Sequence, residues 1–146
     1  MTPVVSRGLS GLWAGVVIGG SLIAAPAKFQ VTTLSTPQLL EVGRAQFHWV
    51  GIAEAALCAA LLISVFLSER SRFIFLWIPV ALFAIQRLYL MPLLDARTLE
   101  IIAGSDVAES SIHIVFIVLE ITKVILLCGF AVGGLEYRRS EHASHT

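Results

Sequence analysis

Four long runs almost free of charge, at 8–27, 45–67, 73–94 and 112–135, constrain this chain more than any other feature. About 20 apolar residues at a rise of 1.5 Å per residue cover the ~30 Å hydrocarbon core of a bilayer. Inside that core every backbone polar group must be satisfied within the segment, so apolar runs of this length read as helices. The charge has been moved out of the runs: 57% of the 146 residues are hydrophobic and only 14% charged, against about 25% in soluble domains. The expected architecture is therefore all-α and integral to the membrane. It is a bundle of four transmembrane helices forming a single domain over 1–146, with a polar cytoplasmic tail at 136–146.

The first run has a rival reading. Arg7, an apolar stretch and Ala25-Pro26-Ala27 have the layout of a signal peptide with its cleavage site, although proline inside that motif is unfavourable. Gly11, Gly15 and Gly19 recur at four-residue spacing in the same run, a stripe that suits close helix packing and favours a retained span. Thr36-Pro37 predicts a helix start ahead of the second run, with Thr36 as the cap. Gly104 predicts the end of a short helical piece begun near Asp95, and Ser105 or Asp106 a cap for the fourth span.

Orientation follows from the connections. Arg7, Arg70, Arg72, Arg138 and Arg139 fall on one side, and Lys28, Arg44 and Arg97 on the other. The five-to-three bias places both termini in the cytoplasm, most simply across a bacterial inner membrane. The apolar runs make the lipid bilayer the expected partner, and a net charge of zero gives no global field that points to nucleic acid. Cys58 and Cys128 both lie in apolar runs, which argues against a disulfide framework. Trp49, Trp77, Tyr89 and Tyr137 fall near span ends, as an aromatic belt would, whereas Trp13 does not.

The two halves look related. Pro26 precedes His48 by 22 residues and Pro92 precedes His113 by 21; Glu54 and Glu120 follow the histidines by six and seven. This predicts a parallel 2+2 repeat of helix hairpins. Glu54 then lies ~9 Å deeper along its helix than His48, and Glu120 ~10 Å deeper than His113. Arg87 has a comparable depth, and Lys123 sits one turn from Glu120 on the same face.

An isolated charge at a helix centre costs about 2.5–3.5 kcal/mol or more, so Glu54, Arg87, Glu120 and Lys123 are expected to neutralise one another. One such arrangement pairs Glu54 with Arg87 and Glu120 with Lys123. Such a cluster is either purely structural or a polar site for a proton, an ion or an anionic solute. His48 and His113, on neighbouring parallel helices, raise a further option: axial haem ligands, or a copper or zinc site with carboxylate help. No phosphate-binding glycine loop or nucleophile triad is present, which argues against an enzyme.

Gly-Leu-Trp-Ala-Gly at 11–15 followed by Ala-Ala-Pro-Ala-Lys-Phe at 24–29, and Leu-Tyr-Leu-Met-Pro at 88–92 with His113 opening the last span, carry a resemblance. Together they resemble a family of four-span membrane proteins known as domain of unknown function 4149, similar to the eukaryotic transmembrane protein 205 group. The resemblance implies a four-helix membrane fold and, from platinum-drug handling by eukaryotic relatives, solute or metal handling. It assigns no role to Glu120 or Lys123. The haem-linked protoporphyrinogen oxidases are similar in size, but the first span here lacks their early histidine.

The resulting expectation is a protein that binds or handles a small solute, ion or metal, or an accessory subunit of a larger membrane complex. Two alternatives stand beside it. One is a haem- or metal-binding redox protein using His48 and His113, and the other a helix-packing scaffold with no site of its own, whose glycine stripe docks another subunit. The same stripe offers an interface for a homo-oligomer or a hetero-complex.

Overall fold

A computed structural model describes residues 3–67, 76–105 and 110–143, with side chains from 4 to 132 within those segments. The basic connection at 68–75 and the acidic Asp106 and Glu109 lie outside them, as do the side chains of Tyr137, Arg138 and Arg139.

Every described element is helical. The first span runs through α1 (Pro3–Val17), a π-helical stretch (Ile18–Ala24), the short α2 (Ala25–Ala27) and a 3₁₀ turn (Lys28–Gln30). The second is α3 (Thr36–Phe66). The third joins α4 (Trp77–Ile85), a second π-helical stretch (Gln86–Leu90) and α5 (Met91–Ile102), and the fourth is α6 (Ile112–Ala143). Four of these stretches, Val4–Gln30, Thr36–Phe66, Trp77–Ile102 and Ile112–Val132, are long and apolar enough to cross a membrane.

The ends differ from the sequence reading in instructive ways. Helix α3 starts one residue earlier than Thr36 suggests: Ser35 is the cap, and its backbone N–H donates to Gln38 Oε1 at 2.9 Å. The helix then runs without a break into the second span. Gly104, at φ 81°, does end a helix, but α5 is continuous with the third span rather than a separate piece. The fourth helix begins at Ile112, whose N–H donates to Ser110 Oγ at 3.2 Å, so Ser105 does not cap it. The backbone of α6 stays helical to Ala143, through residues where the polar tail is expected.

The π-helical stretches have a local cause. Proline at i lacks an N–H and its ring crowds the carbonyl at i−4, so a helix running into proline must open or bend there. Both stretches end two residues before a proline, at Ala24 before Pro26 and at Leu90 before Pro92. A wide turn re-aims the side chains it carries, here Ser21 in the first span and Gln86 and Arg87 in the third.

Successive spans are antiparallel. Ser6 meets Ser64, Trp13 meets Glu54 and Gln46 donates to the Gly20 carbonyl, pairing the first span with the second. Gln86 contacts Phe116 and Lys123, and Gly11 faces Ala131, so the third and first spans both flank the fourth.

The distribution of polarity is inverted relative to a water-soluble fold. Ser6, Ser10, Glu54, Ser64, Gln86, Glu120 and Lys123 are buried, while Leu88 is 78% exposed, Phe66 73% and Trp49 68%. Apolar side chains outside and polar ones inside are compatible with a bundle solvated by lipid. The apolar core lies toward the chain termini, where Trp13, Val17, Leu61, Leu76 and Leu127 pack together with Cys58. Both cysteines are free.

Candidate functional site: a shared ammonium beneath a cavity

Lys123 is the centre of the buried cluster. It is 1% exposed, and its Nζ lies 2.6 Å from Glu54 Oε2, 2.7 Å from Glu120 Oε2 and 3.0 Å from Gln86 Oε1. An ammonium has three N–H donors, and three acceptors surround this one. The Phe83 ring lies 5.5 Å from Nζ and closes one side with its π face.

The two carboxylates are not equivalent. Glu54 Oε2 accepts well-formed hydrogen bonds from Lys123 and from Trp13 Nε1 at 2.8 Å. Glu120 shares helix α6 with Lys123 at i, i+3, and its Oε2 is close to Nζ but outside hydrogen-bond geometry, leaving it without a hydrogen-bond partner. Ser21 Oγ, also buried, faces the Glu120 carboxyl from the first span without a well-formed hydrogen bond.

Arg87 corrects the expected pairing. Its guanidinium lies over Gly51, where any Cβ would overlap it. Its N–H groups donate to the Phe47 carbonyl at 3.3 Å and the His48 carbonyl at 3.5 Å. Glu54 is therefore held by Lys123 and Trp13, not by Arg87. Two acids share one lysine, while the arginine serves backbone carbonyls of α3.

Above the cluster, at the bundle end opposite the termini, a cavity of about 590 Å³ is lined by all four spans. Its floor is Ser21 and Glu120, and its walls include Phe47, Met91 and Phe116. Lys28, Arg97 and His113 also line it, as does the Arg44–Asp95 ion pair that ties α3 to α5 with bonds of 2.6 and 3.1 Å. Lys28 rests against Gly43 and near the rings of Phe29 and Phe47. Among the described residues neither Lys28 nor Arg97 is paired with a carboxylate.

Beneath the floor a second void of about 20 Å³ touches Ser21, Glu54, Gln86, Arg87, Glu120 and Lys123. Phe47 and Phe116, packed edge to face with ring centres 5.8 Å apart, border both spaces.

The histidines go to different places. His48 lies in an external groove with Glu41, Arg44, Arg87 and Asp95, and His113 lines the cavity. Among the described residues no group of three or more His, Cys, Asp or Glu side chains is placed to hold a metal ion.

The glycine stripe is split. Gly11 lies 3.6 Å from the Ala131 Cβ (measured from an ideal Cβ), but Gly15 and Gly19 are exposed with open space beside them. Close approach within the chain falls instead on Gly20 against Val50, Gly43 against Lys28 and Gly51 against Arg87.

Sequence reasoning missed Trp13, Gln86 and Ser21 as cluster members. One signal was available for Trp13. An indole N–H deep in a span needs an acceptor, and Trp13 is the tryptophan that fits no aromatic belt. Compared with family models, curated proteins and solved structures, the chain matches none.

Proposed function

We propose that this chain is an integral membrane protein that binds a small amphipathic anion in the cavity between its four spans. The observation that carries this reading is the cavity lining. A volume of about 590 Å³ is typical of small-ligand sites, its walls are mainly apolar, and Lys28 and Arg97 bring positive charge without a carboxylate partner among the described residues. An acyl or ring body fits against Phe47, Met91 and Phe116, and an anionic group pairs with the cations.

The two halves of the chain are related hairpins in this proposal. Ala24 and Leu90, which end the π-helical stretches, are 66 residues apart, as are Pro26 and Pro92, and Glu54 and Glu120. The same offset sets Lys123 against Leu57, so one lysine serves both glutamates. Membership of the four-span family named above is part of the same proposal and rests on its short motifs.

The test is binding of decanoate to the protein in lipid nanodiscs, with decanol and decyltrimethylammonium as controls. Saturable binding of decanoate alone, lost in the Lys28→Ala/Arg97→Ala double variant, is the expected result. Equal uptake of all three probes, unaltered in that variant, sinks the reading and leaves only partition into lipid.

A further inference from the structure

We propose that Glu120 is a proton-binding residue, held as a neutral carboxylic acid beside Ser21 and a single water. This does not require a solute in the cavity above.

The groups facing the small void come from all four spans: Ser21 from the first, Glu54 from the second, Gln86 and Arg87 from the third, Glu120 and Lys123 from the fourth. Arg87 gives its N–H groups to the Phe47 and His48 carbonyls. Among the described residues Lys123 is then the one cation in direct contact with the two carboxyls, and a single ammonium is shared between both while the Arg87 charge is turned to the carbonyls of α3. A buried carboxylate oxygen that no donor serves is strongly disfavoured in its charged form, and a proton removes that charge.

Geometry selects the carboxyl that takes the proton. Glu54 Oε2 already accepts hydrogen bonds from both Lys123 and Trp13. Glu120 Oε2 makes no acceptable hydrogen bond, and Ser21 Oγ, also buried and without a well-formed hydrogen bond, lines the same void. A space of about 20 Å³ holds one water. A protonated Glu120 donates its O–H to that water, which the Ser21 hydroxyl also meets.

The exchange step balances: hydronium gives its proton to the Glu120 carboxylate and leaves as water. Ser21 and Glu120 floor the large cavity as well, so the proton reaches them through it.

Infrared difference spectroscopy in nanodiscs at neutral pH tests this. A protonated-carboxyl C=O band is expected in the unmodified protein, moving to lower frequency in D₂O. The band should shift in Glu120→Asp, stay in place in Glu54→Asp and move in Ser21→Ala. No such band, a band that follows Glu54→Asp instead, or one abolished when sodium replaces choline at constant pH overturns the proposal. The Lys28→Ala/Arg97→Ala variant separates the two readings. It should lose decanoate and keep the band, so failure of either leaves the other standing.

Discussion

The two ends of this bundle are built from the same four helices and pack differently. Toward the termini, Ser6, Ser10 and Ala14 let the first span lie close to its neighbours, the Ser6 and Ser64 hydroxyls are 2.6 Å apart, and Trp13, Leu61 and Leu127 fill the interior. Past the π-helical stretches, Phe47, Met91, Phe116 and the Arg44–Asp95 pair stand around an open cavity. Lipid is as apolar as leucine, so burying apolar surface does not by itself drive helices together. Small residues and interhelical hydrogen bonds do. At the tight end they come with a filled interior, whereas at the open end bonds such as Gln46 to the Gly20 carbonyl and Arg44 to Asp95 tie the helices around a cavity. The charge cluster sits at the boundary, where it closes the tight end and floors the open one.

The strongest way to break this contrast is at the boundary itself. Lys123→Met leaves two carboxyls facing each other in the interior, and loss of one partner of a buried ion pair costs about 3–5 kcal/mol. Unfolding in detergent should show that loss, and Glu54→Gln/Glu120→Gln added to Lys123→Met should recover most of it. A triple variant no more stable than Lys123→Met would mean that the lysine acts through packing rather than charge.

A comparison of leucines sharpens the difference between the ends. Leu127 is fully buried, so Leu127→Ala opens a void in close-packed surroundings. Against a lipid reference the transfer contribution is small, which puts the cost near the low end of large-to-small changes, about 2 kcal/mol. Leu94 lines the cavity, and Leu94→Ala should stay within about 0.5 kcal/mol. Equal losses from thermal melts of the two variants would show that the cavity closes in solution.

The smallest effect is expected on the outer face of the tight end. A Cβ at Gly15 meets open space, so Gly15→Leu should change monomer stability by no more than about 0.5 kcal/mol. Its size-exclusion profile then reads assembly alone. A shift from oligomer to monomer would make the outer face of the first span an interface, and an unaltered profile removes that role from Gly15.

Particular residues show how far reading the chain could go. The four runs were plain, because charge depletion over about 20 residues has few other meanings. Glu54, Glu120 and Lys123 were visible for the same reason: an ionisable group inside such a run must find a protein partner. Their pairing was not visible. Depth along a helix can be counted at 1.5 Å per residue, but azimuth cannot once a π-helical turn rotates everything that follows it. Arg87 lies inside such a turn, which is why matched depth with Glu54 did not become a salt bridge. Ser21 carried no signal at all, since isolated serines are ordinary in apolar helices and satisfy themselves on their own backbone.

By itself, then, the order of residues determined an all-helical chain with four segments fit to cross a membrane and a set of ionisable groups with no place in lipid. Solvation decides those properties, and solvation depends on composition along the chain. Tertiary structure alone decided that one ammonium serves two carboxyls, that Trp13 holds Glu54, and that Ser21 and Glu120 meet at the floor of a cavity. These depend on the rotation of each helix about its axis, and that rotation is set by contacts such as Arg87 on Gly51 and Val50 against Gly20 that form only when all four spans are packed.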